Sequence, residues 1–554
     1  MKVNSTIRLK KGLTILLIGV LALSQQNSFA QVKTFDYSKN AVSVELFEVV
    51  DISFNAKKEL DSPFKIDFGA VITSPSGKEK KIQGFYYGEE QWRLRFSANE
   101  KGTWKYVTYS ELRELSGKSG TFQVSDSSAE KHGGIIISSR NRRKFSYEDG
   151  TSYYPMAYEC DWLFALDYHN DENAPKTTHF LDVLEENGCT QIVMNAYTFD
   201  VSWPKDEKLK KYPEHDYGGK LDMFPFLGDT ENPDYSALNP EFFKKLDRTI
   251  GLMNDRDIVS HLMIYVWNKL VNWPEMYSEA DNMYFDYVVN RYQAFPNIIF
   301  DISKEALYYG RADDEYILER IERARKLNAY NRLVTVHDFG FCRRYPEKVD
   351  FISLQDWTSE LYTLTKSTVN KYKDKPIMNI EHGGYEESPY KVWTGVFTNP
   401  EVCLRRNYLI AFGGGYTTYY WQGCSWNVLI HNPFEQPEGF IKPKFEYYRH
   451  MTDFFQRHDF TELKPEPKRN RSSYCLTNGE GKYLFYVPKE NYMIQPNFLR
   501  KDFKNRSFVW FNTLTGEYKP QPKEDLISKW QRDLHIQSPW EGEADAVLIT
   551  EIVE

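Results

Sequence analysis

Several signatures of common function classes are missing from this 554-residue sequence. It has no HExxH motif of a zinc protease, no GxSxG nucleophile elbow, no Walker loop and no histidine-rich cluster. No GxGxxG follows an apolar segment, so nothing indicates a dinucleotide-binding fold. We therefore predict neither a metal ion nor an organic cofactor.

Cysteine is scarce, and basic residues are not in excess. The six cysteines are too few and too widely spaced for a zinc site or for the disulfide framework of a small secreted domain. We expect mainly buried thiols and leave one disulfide open. The formal net charge of −8 leaves no basic domain to neutralise phosphates, which argues against a nucleic-acid partner.

Long apolar runs are absent beyond the first thirty residues, so no membrane span is predicted. Within those thirty, a basic start containing Lys2 and Arg8 precedes LTILLIGVLALS, and Ser28-Phe29-Ala30 resembles a cleavage site. We predict a signal peptide over residues 1–30 and a periplasmic or secreted mature chain. No cysteine follows the apolar run, which argues against a lipid anchor; an uncleaved anchor is the alternative.

Aromatic residues are abundant, at 16% with 39 Tyr and 13 Trp. Their flat faces and polar edges suit sugar rings, although packing in a protein core is the more common use. In residues 31–132, apolar and polar residues alternate between turns, which predicts an Ig-like β-sandwich. Residues 463–554 return to this pattern and predict a second β-sandwich domain.

Residues 133–462 alternate apolar strands with amphipathic helices, which predicts an α/β domain with a parallel sheet. Eight strands can be counted, so we predict a (β/α)8 TIM barrel, with an open doubly wound sheet as the alternative. Asn239-Pro240-Glu241 and Asn399-Pro400-Glu401 read as helix N-termini, and Gly188 reads as a C-terminal glycine. The predicted strands are SYYPMAY, TQIVMNAY, IVSHLMIYVW, NIIFDIS, RLVTVHD, VDFISLQD, KPIMNIE and GYTTYYW.

Two glutamates follow predicted strands at the position where (β/α)8 enzymes carry their reacting groups. Glu305 follows strand four in NIIFDISKEA, and Glu381 ends strand seven in KPIMNIEHGG. One carboxyl can protonate a leaving oxygen while another attacks the anomeric carbon, which is the chemistry that a glycosidic bond requires. We predict Glu305 and Glu381 as catalytic residues; the alternative for each is a carboxylate that only forms an ion pair.

A glutamate after strand four and another on strand seven is the pattern of clan A glycoside hydrolases. The order sandwich, barrel, sandwich is similar to the apiosidase-like family of glycoside hydrolases, over nearly all of the mature chain. WRLRFSANEKGTWKY resembles the small sandwich that precedes such barrels, and FVWFNTLTGEY resembles C-terminal modules named for collagen binding. The resemblance implies Glu305 as acid/base, Glu381 as nucleophile and retention of configuration, and it alone suggests apiose.

Lys304 departs from the clan A pattern, in which Asn usually precedes the acid/base residue. A cation beside Glu305 favours the ionised form and opposes proton donation. Alternatively, Lys304 points outward or binds an acidic group of the substrate, such as a uronate. Lys304 is also the feature that favours a second hypothesis, a non-catalytic carbohydrate-binding protein with a degenerate barrel.

Further polar and aromatic residues follow the predicted strands and are candidates for substrate binding. Polar groups hold hydroxyls and indole faces stack on sugar rings, although each of these residues has a structural hydrogen bond as its alternative role. We prefer Trp421 and His337 among them, and the alternative for His337 is to orient the nucleophile. The candidates are Asp161, Trp162, Asn195, Tyr197, Trp267, His337, Gln355, Trp357, His382, Trp421 and Gln422.

The resulting hypothesis is a secreted enzyme that hydrolyses O-glycosidic bonds in side chains or oligosaccharides of a plant or algal polysaccharide. Carbohydrate is its predicted partner. Long segments after strands two and eight favour an exo-type pocket. The sequence leaves open the sugar, the linkage, endo or exo attack, retention or inversion, and the oligomeric state.

Overall fold

The computed structural model describes most of the chain, in fifteen stretches. The predicted signal peptide and the candidates Trp162, Trp267, Trp421 and Gln422 lie outside the described residues. The described residues are 32–39, 41–57, 62–161, 163–170, 174–197, 207–211, 222–266, 272–382, 399–420, 444–469, 474–491, 493–497, 503, 505–527 and 536–553.

The N-terminal domain consists of two β-sheets, in the orders β1-β3-β7-β6 and β2-β9-β8-β4-β5. The side chains of β8 alternate between buried and exposed, as expected for a strand with one face on a core. The strands are β1 Lys33–Asp36, β2 Ala41–Glu45, β3 Val49–Asn55, β4 Phe68–Thr73, β5 Glu79–Gln83, β6 Phe85–Gly88, β7 Gln91–Ser97, β8 Gly102–Ser110 and β9 Ser119–Ser125.

The core between these two sheets is aromatic. Trp92 and Trp104 are buried in it, and the Phe96 ring stacks on Phe122 with 4.1 Å between centroids. These tryptophans therefore pack the sandwich, which was the structural alternative to a sugar-binding role.

A hairpin leads from the sandwich into the barrel, whose eight parallel strands are buried along almost their whole length. A second hairpin is inserted after the second barrel strand. The hairpins are β10 Ile135–Ile137 with β11 Phe145–Tyr147, and β14 Phe226–Gly228 with β15 Pro233–Leu238. The barrel strands are β12 Met156–Glu159, β13 Gln191–Asn195, β16 Val259–Val266, β17 Ile298–Lys304, β18 Val334–His337, β19 Ile352–Gln355, β20 Ile377–Glu381 and β21 Tyr416–Tyr420.

The eight strands neighbour one another in chain order, and the last, β21, pairs with the first, β12. The ladder is interrupted between β18 and β19, where side chains complete the connection. The Val334 N–H donates to Asp350 Oδ2 over 2.6 Å, and the Thr335 and Ser353 hydroxyls lie 3.0 Å apart. The prediction of a TIM barrel between two β domains is confirmed, and the open doubly wound alternative is wrong because β21 meets β12.

Helices surround the barrel, and their caps agree with the sequence signals. Asn239 Oδ1 accepts from the Glu241 N–H, Asn399 Oδ1 accepts from the Val402 N–H, and Gly188 has φ +79° just after a helix end. The helices are α1 Pro175–Glu186, α2 Pro240–Asp255, α3 Glu279–Tyr292, α4 Asp314–Leu327, α5 Phe339–Arg344, α6 Leu361–Lys371, α7 Pro400–Phe412 and α8 Phe445–Arg457. Short 3-10 turns cover Pro63–Lys65, Leu163–Asp167, Glu207–Lys211, Phe460–Glu462 and Pro467–Arg469.

The C-terminal domain is a six-stranded antiparallel sheet in the order β22-β23-β24-β29-β26-β27, with a separate two-stranded sheet of β25 and β28. The Tyr486 ring of this domain stacks on Tyr408 of α7, with 5.3 Å between centroids. Its elements are β22 Lys464–Pro465, β23 Tyr474–Thr477, β24 Tyr483–Val487, β25 Met493–Ile494, β26 Arg506–Asn512, β27 Tyr518–Pro520, α9 Lys523–Ile527, β28 Ile536–Gln537 and β29 Ala546–Ile552.

Four buried charges join the N-terminal sandwich to the barrel, and we call Asp51, Arg95, Asp247 and Arg291 the junction cluster. Arg95 of β7 donates two hydrogen bonds to Asp51 and two to Asp247 of α2, at 2.8 to 3.2 Å. Arg291 of α3 donates two more to Asp247, each of 2.8 Å. The buried cations and anions of the junction cluster thus neutralise each other at the domain contact, and the less buried Arg93 also contacts Asp51 over 3.2 Å.

Two further expectations concern cysteines and membrane spans. Within the described ranges, Cys160, Cys189, Cys342, Cys403 and Cys475 are buried free thiols, as expected. Among the helices of the described residues, none combines the length and the apolar character that crossing a bilayer requires.

Candidate active site

The carboxyl ends of three barrel strands bring four acids and one lysine together. Glu159 ends β12, Asp161 follows two residues later, Lys304 ends β17, Glu305 follows it, and Glu381 ends β20. The Lys304 Nζ atom lies 2.5 Å from Glu159 Oε1, 3.3 Å from Asp161 Oδ2 and 3.5 Å from Glu381 Oε2. We call these five residues the carboxylate cluster. It lies at the barrel end where the reacting groups of this fold are found.

Lys304 is buried at the centre of the cluster, so the alternative in which it points outward is wrong. Burial alone lowers the pKa of a lysine, but Asp161, Glu159 and Glu381 together outweigh it and hold the pKa of Lys304 well above its usual value. The ammonium group is therefore charged and shared among three acids.

Three acids of the cluster, Glu159, Asp161 and Glu381, are harder to ionise than ordinary carboxyl groups. Burial raises the pKa of Glu159 well above its usual value, that of Asp161 to about 6 and that of Glu381 to about 7, and Lys304 opposes each shift. One lysine cannot neutralise four carboxylates. The protonated forms of Glu159, Asp161 and Glu381 are therefore favoured more than in ordinary carboxyl groups.

Glu305 differs from its neighbours because it is only half-buried and has a left-handed backbone, with φ +59°. Such a conformation is unusual for a residue other than glycine and is often found at functional sites. Gln355 of β19 donates from Nε2 to Glu305 Oε1 over 3.0 Å. Burial has the largest effect on the pKa of Glu381 and raises it, whereas Lys304 lowers it. The charge of Glu305 raises this pKa further, so the two carboxyl groups interact electrostatically.

Several buried acceptor atoms around the cluster have no hydrogen-bond partner within the described part of the chain. These atoms are Oε2 of Glu159, Oδ1 of Asp161, Oδ1 of Asn195 and Oε2 of Glu381. Buried polar atoms of folded proteins are normally paired. A ligand rich in hydroxyl donors would satisfy these four, which we call the acceptor set.

His337 ends β18 beside Glu381, with 3.9 Å between its Nε2 atom and Glu381 Oε2. Burial lowers the pKa of His337 well below its usual value, and the charge of Lys304 lowers it further, so the ring is neutral. Beneath it, Asp301 Oδ1 accepts from the His337 N–H over 2.8 Å, and Asp301 Oδ2 lies 2.9 Å from His261 Nε2. Sequence reasoning missed the buried polar residues Asp301 and His261 inside the barrel, because buried barrel positions are usually apolar.

Two predicted residues have their described hydrogen bonds to structural neighbours, Tyr197 to the turn of the inserted hairpin and His382 to barrel strand β21. The Tyr197 hydroxyl donates to Thr230 Oγ1 over 2.8 Å. His382 Nε2 lies 3.1 Å from Thr417 Oγ1, which donates to Asn407, and burial lowers the pKa of His382 to about 3. These contacts fit the structural alternative for both residues.

The other predicted residues fall into three groups. Asp161, Asn195, His337 and Gln355 lie in or directly beside the carboxylate cluster, as described above. Trp357 is half-buried just beyond β19, on the same barrel end. The remaining four candidates are outside the described residues, and their substrate contacts stay predictions.

Tyr309 is a further residue near the cluster that sequence reasoning missed. It is half-buried, and its pKa is raised by burial first and then by the charge of Glu305, with a smaller contribution from Glu381. The available signal was the aromatic pair in EALYYG, four residues after the predicted acid/base.

No group of three or more His, Cys, Asp or Glu residues in the described stretches has the arrangement of a metal site. In the carboxylate cluster, the position between the acids is taken by the Lys304 ammonium group. The arrangement therefore suits proton transfer and nucleophilic attack by carboxyl groups.

Comparison with known sequences gives matches to two domain families. Residues 139–462, more than half of the chain, match the model of the apiosidase-like catalytic domain, and residues 43–111 match a domain of unknown function, DUF5060. No curated protein matches the chain. All five residues of the carboxylate cluster lie within the apiosidase-like match.

Solved structures of similar fold include two from Bacteroides vulgatus ATCC 8482. One is a candidate glycoside hydrolase with a TM-score of 0.72 and 21% identity, a similarity that covers 92% of this chain and 100% of that one. The other belongs to glycoside hydrolase family 5, with a TM-score of 0.55 and 14% identity over 76% of this chain and 93% of that one. At these identities the similarity supports the fold.

Proposed function

Because the chain belongs to the family of apiosidase-like catalytic domains and is a glycoside hydrolase, we propose that Glu305 and Glu381 are its catalytic pair. Glu305 acts as the general acid/base and Glu381 as the nucleophile, and the anomeric configuration is retained. The observation that carries this proposal is that both side chains belong to the carboxylate cluster at the functional end of the barrel, where the charge of Glu305 acts on Glu381.

The first step forms a covalent glycosyl-enzyme. The Glu381 carboxylate attacks the anomeric carbon while the Glu305 carboxyl gives its proton to the leaving oxygen, and the glycosidic bond breaks. In the second step, Glu305 takes a proton from water as the water oxygen attacks the same carbon. The ester bond to Glu381 breaks, and both carboxyl groups return to their starting states.

Lys304 supports the nucleophile in this mechanism. Glu381 must be ionised to attack, and burial opposes its ionisation; the ammonium group at 3.5 Å favours it. The ammonium group is also close to Glu159 and Asp161, so its charge is not directed at Glu305 alone. Lys304 is therefore compatible with proton donation by Glu305.

The acceptor set supports the binding of a neutral, hydroxyl-rich sugar. Sugar hydroxyls are donors, and they would pair the buried oxygens of Glu159, Asp161 and Asn195. The ionised Glu381 carboxylate beside the anomeric carbon also stabilises an oxocarbenium-like transition state. A uronate in this position would face the same negative charge and be repelled.

We further propose that the enzyme is secreted or periplasmic and acts on side chains or oligosaccharides of a plant or algal polysaccharide. The support for export is the signal-peptide pattern of residues 1–30. Apiose is the candidate sugar on grounds of family membership.

The test is a screen of the purified protein against pectic and algal oligosaccharides, with the released anomers followed by NMR. We expect Glu381→Gln to lower kcat about 10⁴-fold and Glu305→Gln to lower it about 10²- to 10⁴-fold. Glu360→Gln, an exposed carboxyl at the start of α6, is the matched control and should leave the rate unchanged. An inverted first product would exclude Glu381 as a nucleophile.

A non-catalytic carbohydrate-binding protein is the second candidate, favoured by Lys304 in place of the usual Asn. Such a protein would bind an oligosaccharide from the screen with similar affinity in the wild type and in Glu305→Gln, and neither would release sugar.

A further inference from the structure

The chain that follows Glu305 is a compact turn held against the end of β17. The Tyr309 N–H donates to the Glu305 carbonyl over 3.1 Å, and the Arg311 N–H donates to the Ala306 carbonyl over 2.9 Å. Ala306 is buried beneath the turn. The position of Tyr308, in the middle of this turn, is therefore fixed relative to Glu305.

Tyr308 presents an aromatic ring to solvent at this fixed place. Its exposed fraction is 81%, although large aromatic residues are usually at least half-buried. Its ring lies at 84° to that of Tyr309, with 5.2 Å between centroids. An edge-to-face contact of this kind orients the Tyr308 ring.

The proposed mechanism relates the position of Tyr308 to the leaving group of the substrate. A general acid must contact the oxygen of the bond that breaks, so the leaving group lies on the side of the acid. Tyr308 is three residues from Glu305 on the same hydrogen-bonded turn. Sugar rings have an apolar C–H face that stacks on aromatic rings.

We propose that Tyr308 forms the binding face for the leaving-group sugar of the substrate. Tyr309, half-buried beside Glu305, positions the Tyr308 ring through the edge-to-face contact. This inference rests on the proposed function and adds the residue that binds the leaving-group sugar.

The experiment compares two substrates that share one sugar. The first is the oligosaccharide that the screen identifies, and the second is the glycosyl fluoride of the sugar released from it. Fluoride leaves without a ring and makes no contact with Tyr308. The variants are Tyr308→Ala, and Tyr308→Phe and Tyr308→Trp as matched variants that keep an aromatic face.

With the oligosaccharide, we expect Tyr308→Ala to raise KM about three- to tenfold at unchanged kcat, from the loss of a single aromatic stacking contact. Tyr308→Phe and Tyr308→Trp should restore KM, and hydrolysis of the fluoride should match the wild type in all three variants. An unchanged KM for the oligosaccharide in Tyr308→Ala, or equal losses on both substrates, would overturn the inference. If the wild type hydrolyses no oligosaccharide in the screen, the proposed function itself is overturned.

Discussion

The protein contains two buried clusters of charge, and they differ in the balance between positive and negative groups. The junction cluster pairs two arginines with two aspartates, and Arg95 and Arg291 hold the pKa of Asp247 well below its usual value although burial alone raises it. The carboxylate cluster sets four acids around Lys304, and burial raises the pKa values of Glu159, Asp161 and Glu381.

The difference between the clusters lies in what remains unsatisfied. Both oxygens of Asp247 accept two hydrogen bonds each, so the junction cluster has little further capacity to bind. The acceptor set, in contrast, keeps buried oxygens without a hydrogen-bond partner among the described residues. A balanced cluster fixes one domain on another, whereas an unbalanced one stores binding and proton-transfer capacity at a cost in stability.

The largest expected effect comes from breaking the balanced cluster. Asp247→Ala leaves Arg95 and Arg291 buried without their shared partner, which should destabilise the fold by about 3 to 5 kcal/mol. Urea unfolding measures the loss. Glu241→Ala on the same helix removes an exposed pair with Lys244 and should change little. A loss for Asp247→Ala no larger than that for Glu241→Ala would contradict the role of the junction cluster.

A smaller effect should follow from removing the one cation of the unbalanced cluster. Lys304→Met takes away the charge that lowers the pKa of Glu381, so this pKa should rise and the acidic limb of the kcat/KM profile should move up by about one pH unit. A pH profile on the oligosaccharide from the screen measures the shift. The double variant Lys304→Met with Asp161→Asn also removes a negative charge that raises the pKa of Glu381, so it should move the limb less. A limb that stays in place would exclude Lys304 as support for the nucleophile.

The smallest expected effect is opposite in sign to that of Asp247→Ala. Glu381 has a folded-state pKa of about 7, above its usual value of 4.5, so its contribution to stability is present below pH 4.5 and is lost as the pH rises through 7. Glu381→Gln should therefore raise stability by about 1 kcal/mol at pH 8 and have little effect at pH 4.

For Asp247, whose pKa is lowered, the contribution to stability is present above pH 3.8 and is lost as the pH falls. Thermal melting at pH 4 and pH 8 measures the stability of each variant. If Glu381→Gln at pH 8 is destabilised as much as Asp247→Ala, the contrast between the two clusters is wrong.

Many residues of the candidate site could be predicted by counting the strands in the sequence. Glu305, Glu381, Asn195, His337 and Gln355 lie where the ends of the predicted strands place them, because the strands are long apolar runs with clear ends. The direction of a side chain just beyond a strand end is not encoded locally. For this reason sequence reasoning did not foresee that the described hydrogen bond of His382 would lie in the barrel wall and that of Tyr197 would reach the inserted hairpin.

Lys304 gives the clearest case of information that the sequence lacked. Beside Glu305 in sequence, it was expected to act on Glu305, yet its short contacts reach Glu159 and Asp161, which are more than 140 positions away. The closure of the barrel brings β12 and β20 to the end of β17, and this determines which acids share the cation. Tyr309 was missed for a related reason, since only the fold of the turn places its ring near the acids.

The sequence by itself determined the order of the domains, the eight strands and the two glutamates, because periodicity and chain order are local properties. Only the tertiary structure decided the balance of charge, since the pKa of a buried group depends on which distant groups share its low-dielectric surroundings.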